Sequence, residues 1–138
     1  MNPIEPLMKI DSEFAKANPL NILVAEDNAL NQKLIQKILN KLGYEPKMAG
    51  DGEEALNAVK TEKFDVLFMD LQMPHMDGIT ATQLIKEQVK ESHQPLIIAL
   101  TANVSDIVKE KCFSVGMTDF MSKPIKIDEI AQLLQKYA

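Results

Sequence analysis

Short apolar runs alternate along this chain with longer segments in which apolar residues recur every three or four positions. Short apolar runs are typical of buried strands, and a spacing of three and four is typical of amphipathic helices. The strands are predicted at residues 21–25, 45–49, 64–69, 96–100 and 119–121. The helices are predicted at about 30–42, 55–59, 79–90, 105–115 and 127–137. Five strand–helix units in strict alternation predict an α/β fold with a doubly wound parallel sheet and helices on both faces.

The length of 138 residues suits one domain, and no internal repeat divides the chain. We expect residues 20–138 to form this domain. Residues 1–19 carry Pro3, Pro6 and Pro19 among a few apolar side chains, which is typical of an arm or linker. Two alternatives stay open for this segment: a mobile tail, or a segment docked on the domain.

Several predicted helices have an apolar stripe, which in the final helix is Ile127, Ile130, Leu133, Leu134 and Tyr137. The stripe of the first helix is Leu30, Leu34, Ile35, Ile38, Leu39 and Leu42. The stripe of the fourth helix is Val104, Ile107, Val108, Cys112 and Val115. Helical spacing puts Phe113 about opposite the stripe of the fourth helix, so we expect its ring to face solvent.

Charge and composition exclude several classes of protein. The net charge is −5 and the lysines are scattered singly, which argues against direct nucleic-acid binding. One cysteine excludes an internal disulfide, and no apolar run approaches the roughly 18 residues of a membrane span. The start of the chain lacks the pattern of a signal peptide, so we expect a cytoplasmic location without membrane insertion.

Polar residues that could bind a ligand or react follow four of the predicted strands. They are Glu26 and Asp27, Asp70, Thr101 and Lys123. Because the carboxyl ends of parallel strands meet at one edge of the sheet, we expect these side chains to lie together. A solvent-accessible Asp70 at this edge is a candidate nucleophile or metal ligand.

Three carboxylates in one small site repel one another unless a cation joins them, and oxygen ligands suit Mg²⁺ or Mn²⁺. Asp27 and Asp70 can bind such an ion directly, with a backbone carbonyl near Gln72 as a further ligand. Lys123 supplies a cation and Thr101 a hydroxyl donor for a phosphate. This set of groups would stabilise phosphoryl transfer to an aspartate.

Four motifs in order resemble the receiver domains of bacterial-type two-component signalling. They are LVAEDN at residues 23–28, MDLQMP at 69–74, ALTA at 99–102 and DFMSKP at 119–124. The resemblance covers about residues 20–137, and the sequences of the four motifs are most similar to those of receivers in hybrid sensor histidine kinases. It implies a flavodoxin-like sheet with strand order 2-1-3-4-5 and five helices.

The resemblance also implies roles for individual residues. Asp70 would be the phosphoacceptor of a phosphorelay, supplied by a histidine kinase or a histidine phosphotransfer protein. Glu26, Asp27, Asp70 and the Gln72 carbonyl would hold Mg²⁺ or Mn²⁺, and Lys123 would bind the phosphate, with a cis peptide bond between Lys123 and Pro124. Thr101 and Phe120 would form the switch pair, where Phe120 stands in place of a common tyrosine.

The surface made by the fourth helix, the last strand and the fifth helix would change on phosphorylation. Because Phe113 is expected to be exposed there, we expect a partner contact or a possible homodimer through this surface.

Two other classes of protein remain as alternatives. The first is a phosphohydrolase with an aspartate nucleophile, similar to the haloacid-dehalogenase-like enzymes. Those enzymes need an acid two residues after the nucleophile, and Gln72 stands there. The second is a degenerate receiver that only binds partners, which should have lost Asp70, Lys123 or the acid pair. We therefore expect a signalling receiver rather than an enzyme, one that assists its own phosphorylation and dephosphorylation.

Overall fold

The computed structural model describes residues 10–138, and these contain the five predicted strands and one helix more than predicted. The strands are β1 Ile22–Ala25, β2 Lys47–Ala49, β3 Val66–Asp70, β4 Leu96–Thr101 and β5 Asp119–Ser122. The helices are α1 Phe14–Ala17, α2 Ala29–Lys41, α3 Gly52–Thr61, α4 Gly78–Gln88, α5 Asp106–Ser114 and α6 Ile127–Tyr137. The additional helix is α1, a single turn that precedes the first strand. No helix among these residues is long and apolar enough to cross a membrane.

The five strands form one parallel sheet in the order β2-β1-β3-β4-β5, which confirms the predicted doubly wound fold. Every residue of the central strand β3 is buried. Val66 and Phe68 belong to the core on one face of the sheet, and Leu67 and Met69 to the core on the other. A strand covered on both faces needs apolar residues at every position, which explains the continuous apolar run before Asp70.

The register of the strands aligns the residues that follow them. Asp70 is paired with Leu100 across the β3–β4 ladder, and Thr101 with Ser122 across the β4–β5 ladder. On the other side of β3, Ala25 at the end of β1 is paired with Met69. The carboxyl ends of four neighbouring strands therefore open onto the same edge of the sheet.

Only part of each apolar stripe packs on the sheet. In α2, Ile35 and Leu39 are buried, whereas Leu30 is 77% exposed and Leu34 is also exposed. A spacing of three and four covers a wider arc of a helix than one sheet face can bury, so the edge of the stripe stays in solvent.

The same holds for α5, where Cys112 is buried but Ile107 is 78% exposed. Val104 lies before the first residue of this helix and is also exposed. Phe113 is 47% exposed, as its position on the helix predicted. This helix packs near the edge strand β5, where less of the sheet is available to cover its apolar residues.

The described part of the N-terminal segment packs against the domain. Phe14 is buried in the same core as the side chains of α2, and its ring meets Tyr44 edge-on with 6.2 Å between centroids. The Tyr44 hydroxyl donates to the Asn18 carbonyl, and the Ala15 N–H donates to the Leu42 carbonyl at 2.8 Å. Burial raises the pKa of Tyr44 to about 12. The segment is thus joined to the end of α2 by apolar and polar contacts.

We expect Phe14→Ala to lower the free energy of unfolding by about 3 kcal/mol, because it removes a buried ring from a shared core. Urea denaturation measures this loss. Lys16→Ala, an exposed change in the same helical turn, is the matched control and should have little effect. Equal stability of the two variants would show that the segment does not contribute to the core.

Candidate functional site

The predicted acids and the predicted cation meet at the carboxyl edge of the sheet. Lys123 Nζ lies 2.9 Å from Asp70 Oδ2 and 3.2 Å from Glu26 Oε2. Carboxylate oxygens of Glu26, Asp27 and Asp70 all lie within 4.8 Å of one another. Asp70 is the last residue of β3, and Glu26, Asp27 and Lys123 directly follow β1 and β5, so the shared sheet edge brings these side chains together.

Asp70 is less accessible than the sequence predicted. Asp70 is 5% exposed and Glu26 is 2% exposed, whereas Asp27 is exposed. The loop after β3 folds back over Asp70, since the Gly78 N–H donates to the Leu71 carbonyl at 3.2 Å. A Cβ at Gly78 would lie 2.4 Å from the Asp70 carbonyl oxygen, so only glycine allows this close approach.

The carboxylate of Asp70 is held from two sides. The Gln72 N–H donates to Oδ1 at 3.1 Å, and Lys123 donates to Oδ2. A carboxylate with a donor on each oxygen is fixed in orientation. The Gln72 contact comes from its amide nitrogen, while its side chain is exposed.

Burial and the charge of Lys123 shift the pKa of Glu26 in opposite directions, and burial and the neighbouring acids do the same for Lys123. Burial raises the pKa of Glu26 above its usual range and the neighbouring Asp70 raises it further, whereas Asn31 and Lys123 lower it. Burial alone would lower the pKa of Lys123, but hydrogen bonding and charge from Asp70 and Glu26 raise it overall. Lys123 therefore stays charged and offsets part of the repulsion between the acids.

One residue that touches this cluster, Asn31, was not predicted from the sequence. Asn31 Nδ2 donates to Glu26 Oε1 at 3.2 Å, and the Asn28 N–H donates to the same oxygen at 3.2 Å. Asn31 lies five positions after Glu26, within the first turn of α2, and gave no separate signal because it is one polar residue among several there.

Thr101 and Phe120 lie on the neighbouring strands β4 and β5. The Thr101 hydroxyl donates to the Asn103 carbonyl at 3.1 Å and accepts from the Asn103 N–H at 2.9 Å, so it is engaged by its own loop. The half-buried Phe120 ring meets Phe113 edge-on at 6.3 Å, and Lys109 Nζ lies 4.5 Å from its centroid. The contacts from α5 were not predicted from sequence.

The turn after β5 places Lys123. The Lys123–Pro124 peptide bond is cis, and the Lys123 N–H donates to the Thr101 carbonyl at 2.9 Å. The backbone on both sides of the lysine is thereby tied to the end of β4 and to the turn.

The comparison with protein families agrees with this geometry. Residues 22–135 match the response regulator receiver domain, which covers most of the chain. The chain belongs to this receiver domain family. It is therefore a receiver domain of two-component signalling, and the resemblance drawn from its four motifs is confirmed.

Among curated proteins, the receiver domain is similar to Histidine protein kinase 1 of Candida albicans. The two are 48% identical over 134 residues, which cover 91% of this chain. The same match covers 5% of the kinase, so this chain spans a small fraction of the length of the relative.

Two solved structures show similar domains. One is the receiver domain of a sensor histidine kinase from Pseudomonas aeruginosa PAO1, with a magnesium ion coordinated in the active site cleft. Its sequence identity to this chain is 36%, the TM-score is 0.78, and the alignment covers 86% of this chain and 96% of that one. The other is the receiver domain of the response regulator Ssk1 of Saccharomyces cerevisiae, in a co-crystal with the histidine phosphotransfer protein Ypd1. Here identity is 31%, the TM-score is 0.79, and coverage is 86% and 88%.

We expect Lys123→Ala to destabilise the metal-free protein at pH 7 by about 1 to 3 kcal/mol, because Glu26 and Asp70 lose their shared cation. The loss should be smaller at pH 5. The pKa of Glu26 is raised in the folded state, so lowering the pH adds a proton to the folded form before the unfolded form and stabilises it.

Urea denaturation in EDTA at both pH values measures this difference. Lys126→Ala is a control that removes an exposed lysine three residues away. A loss that is the same at pH 5 and pH 7 would mean that Glu26 is not the group relieved by protonation.

Proposed function

We propose that this receiver domain accepts a phosphoryl group on Asp70 from a phosphohistidine of a histidine kinase or a histidine phosphotransfer protein. The observation that carries this proposal is the position of the Lys123 ammonium group, in contact with Asp70 and Glu26 and beside the exposed Asp27. A nucleophilic carboxylate, a cation and a further acid are thus assembled before any phosphate arrives. Such preorganised charge is the main requirement of phosphoryl transfer.

The acidic residues fit a divalent cation. Their carboxylate oxygens lie close enough together to share one ion, and Mg²⁺ and Mn²⁺ prefer such oxygen ligands. We assign Glu26, Asp27 and Asp70 to this ion, with the Gln72 backbone carbonyl as a further ligand. Such an ion, when bound by these residues, would supply positive charge that offsets the acids and stabilises negative charge during phosphoryl transfer. The magnesium ion in the similar Pseudomonas domain supports this assignment.

An oxygen of Asp70 forms a bond to phosphorus while the phosphorus–nitrogen bond of the partner histidine breaks, and the electron pair of that bond stays on the ring nitrogen. A proton on the other ring nitrogen of the phosphohistidine lets the ring leave as neutral imidazole. Lys123 then stabilises the negative charge on the phosphoryl oxygens. We propose that the domain assists this transfer and the later hydrolysis as a signalling protein, without turning over a small-molecule substrate.

The structure favours this reading over the two alternatives. A phosphohydrolase would need an acid near Gln72, and the Gln72 amide cannot deliver or remove a proton in that way. A degenerate receiver would have lost part of the site, whereas Lys123 contacts both Asp70 and Glu26, and Asp27 lies beside them.

The exposed side of α2 is the surface that we assign to the phosphodonor. Leu30 and Leu34 are exposed on this helix next to the site. A groove of about 330 Å³ runs from Leu34 and Ile35 to Pro124 and Ile125, and Glu26 and Lys123 also line it. Apolar side chains around a charged centre suit a partner helix that carries a histidine. The co-crystal of Ssk1 with a histidine phosphotransfer protein supports this class of partner.

We propose that the output of phosphorylation is a change in the surface of α5, β5 and α6. The Thr101 hydroxyl is bound to Asn103 and has to leave this loop to reach a phosphate on Asp70. Phe120 can then turn into the vacated space, because its ring gains burial without a hydroxyl to satisfy. Phosphate thereby biases a two-state element.

The contacts of Phe120 set its resting position. Phe113 and Lys109 hold the ring from the side of α5, so movement of Phe120 also changes the surroundings of Phe113. Phe113 and Ile107 are large apolar side chains exposed on this surface. We assign them to a partner or homodimer contact of the phosphorylated form.

We expect Asp70→Asn to keep the fold and to abolish phosphorylation, because the amide has the same shape and is a poor nucleophile. Acetyl phosphate with Mg²⁺, followed by intact-mass measurement, tests this. Wild type and the control Asp128→Asn, an exposed change on α6, should each gain one phosphoryl group.

Other outcomes have distinct meanings. Sustained phosphate release without an adduct would identify a phosphohydrolase, and neither adduct nor release from wild type would identify a partner-binding domain. A stable adduct on Asp70→Asn would place the acceptor elsewhere.

We expect Phe113→Ala to leave phosphorylation of Asp70 intact and to weaken self-association of the phosphorylated form, or its binding to its partner, by about fivefold or more. Analytical ultracentrifugation of the phosphorylated protein measures the self-association. Ser114→Ala is the control, since it changes an exposed neighbour on the same helix without removing apolar area. Unchanged association of both variants would remove Phe113 from the interface.

A further inference from the structure

The two oxygens of the Glu26 carboxylate have different partners. Oε1 accepts from the Asn28 N–H and from Asn31 Nδ2, each at 3.2 Å. Oε2 faces Lys123, also at 3.2 Å. One oxygen is therefore held by neutral donors from the start of α2, while the other is directed to the charged site.

Asn31 is well placed to fix the first of these oxygens. Asn28 is the N-cap residue of α2, and its side chain accepts a hydrogen bond from the Asn31 N–H at 3.0 Å. Asn31 therefore lies in the first turn of a regular, capped helix. The next residue, Gln32, donates through its side chain to the Glu26 carbonyl. The start of α2 is thus bonded to both the backbone and the carboxylate of Glu26.

An amide is suited to this position. Its NH₂ group donates a hydrogen bond to the carboxylate, and its neutrality adds no charge to a site that already has three acids. Glu26 is buried, so a lost donor is not readily replaced by solvent, and without Asn31 the Oε1 oxygen would be held by the Asn28 N–H alone.

We propose that Asn31 is a positioning residue of the metal site, which holds Glu26 Oε1 so that Oε2 is presented toward Asp27 and Asp70. This inference rests on the proposed function, in which these three acids hold a divalent ion. Asn31 acts through Glu26 and does not touch the phosphoryl group. Groups that orient metal ligands in this way typically contribute about 10- to 100-fold to metal affinity.

The test is the affinity for Mg²⁺, measured by isothermal titration calorimetry on the full chain. We expect Asn31→Ala to weaken Mg²⁺ binding about 10- to 100-fold. Its metal-free melting temperature should fall only modestly, because the helix propensity of alanine offsets part of the lost hydrogen bond. Asn40→Ala, the same change at an exposed position near the end of α2, is the matched control and should bind as wild type does. Asp27→Ala shows the effect of losing a proposed ligand.

A second readout separates positioning from direct participation. The initial rate of phosphorylation by acetyl phosphate is measured against Mg²⁺ concentration. For Asn31→Ala we expect the curve to shift to higher Mg²⁺ and to reach the wild-type rate at saturation. A rate that stays low at saturating Mg²⁺ would overturn the positioning role.

The remaining outcomes also decide the question. Wild-type affinity in Asn31→Ala, or an equal loss in Asn40→Ala, would overturn the inference and leave the proposed function intact. A wild-type protein that neither binds Mg²⁺ nor becomes phosphorylated would overturn both.

Discussion

The structure of this receiver domain depends on one electrostatic constraint, which is the placement of three carboxylates at a single sheet edge. Two of them, Glu26 and Asp70, are buried, and burial makes their mutual repulsion stronger than it would be in water. Lys123 reduces this repulsion, because its ammonium group donates hydrogen bonds to both carboxylates. The backbone that carries Lys123 is in turn fixed to β4 and to a cis proline turn. A strongly charged site is thereby stable before it meets a phosphate.

The proposed effect of phosphorylation on a more distant surface depends on contacts that are already formed in the structure. In the resting state the Thr101 hydroxyl is satisfied by Asn103, and Phe120 is held by contacts with α5. Each group has a stable partner, so neither moves without a new interaction that outweighs the old one. A phosphate on Asp70 would be such an interaction, because it adds charge and acceptor oxygens within reach of Thr101.

Different faces of helix α2 contact the core, the acid cluster and solvent. Ile35 and Leu39 pack in the core, Asn31 holds Glu26, and Leu30 faces solvent beside the site. The C-terminal end of the helix contacts the N-terminal segment, since Phe14 packs in the same core and the Leu42 carbonyl accepts a backbone hydrogen bond from that segment. Because the helix is rigid, the core that fixes its orientation also fixes the amide that contacts the acid cluster and the apolar surface proposed for a partner.

The sequence by itself determined the alternation of strands and helices and the membership of the acid cluster, because both depend on periodic or local signals. The strand order followed instead from the resemblance of the four motifs to receiver domains. The apolar run before Asp70 requires a strand buried on both faces, and the ends of parallel strands must share an edge. The tertiary structure alone decided what depends on distances between segments: the low exposure of Asp70, the solvent-facing Leu30 and Ile107, and the contacts of Asn31 and Phe113. Helical spacing shows which residues share a face, but only packing shows how much of that face the neighbouring sheet covers.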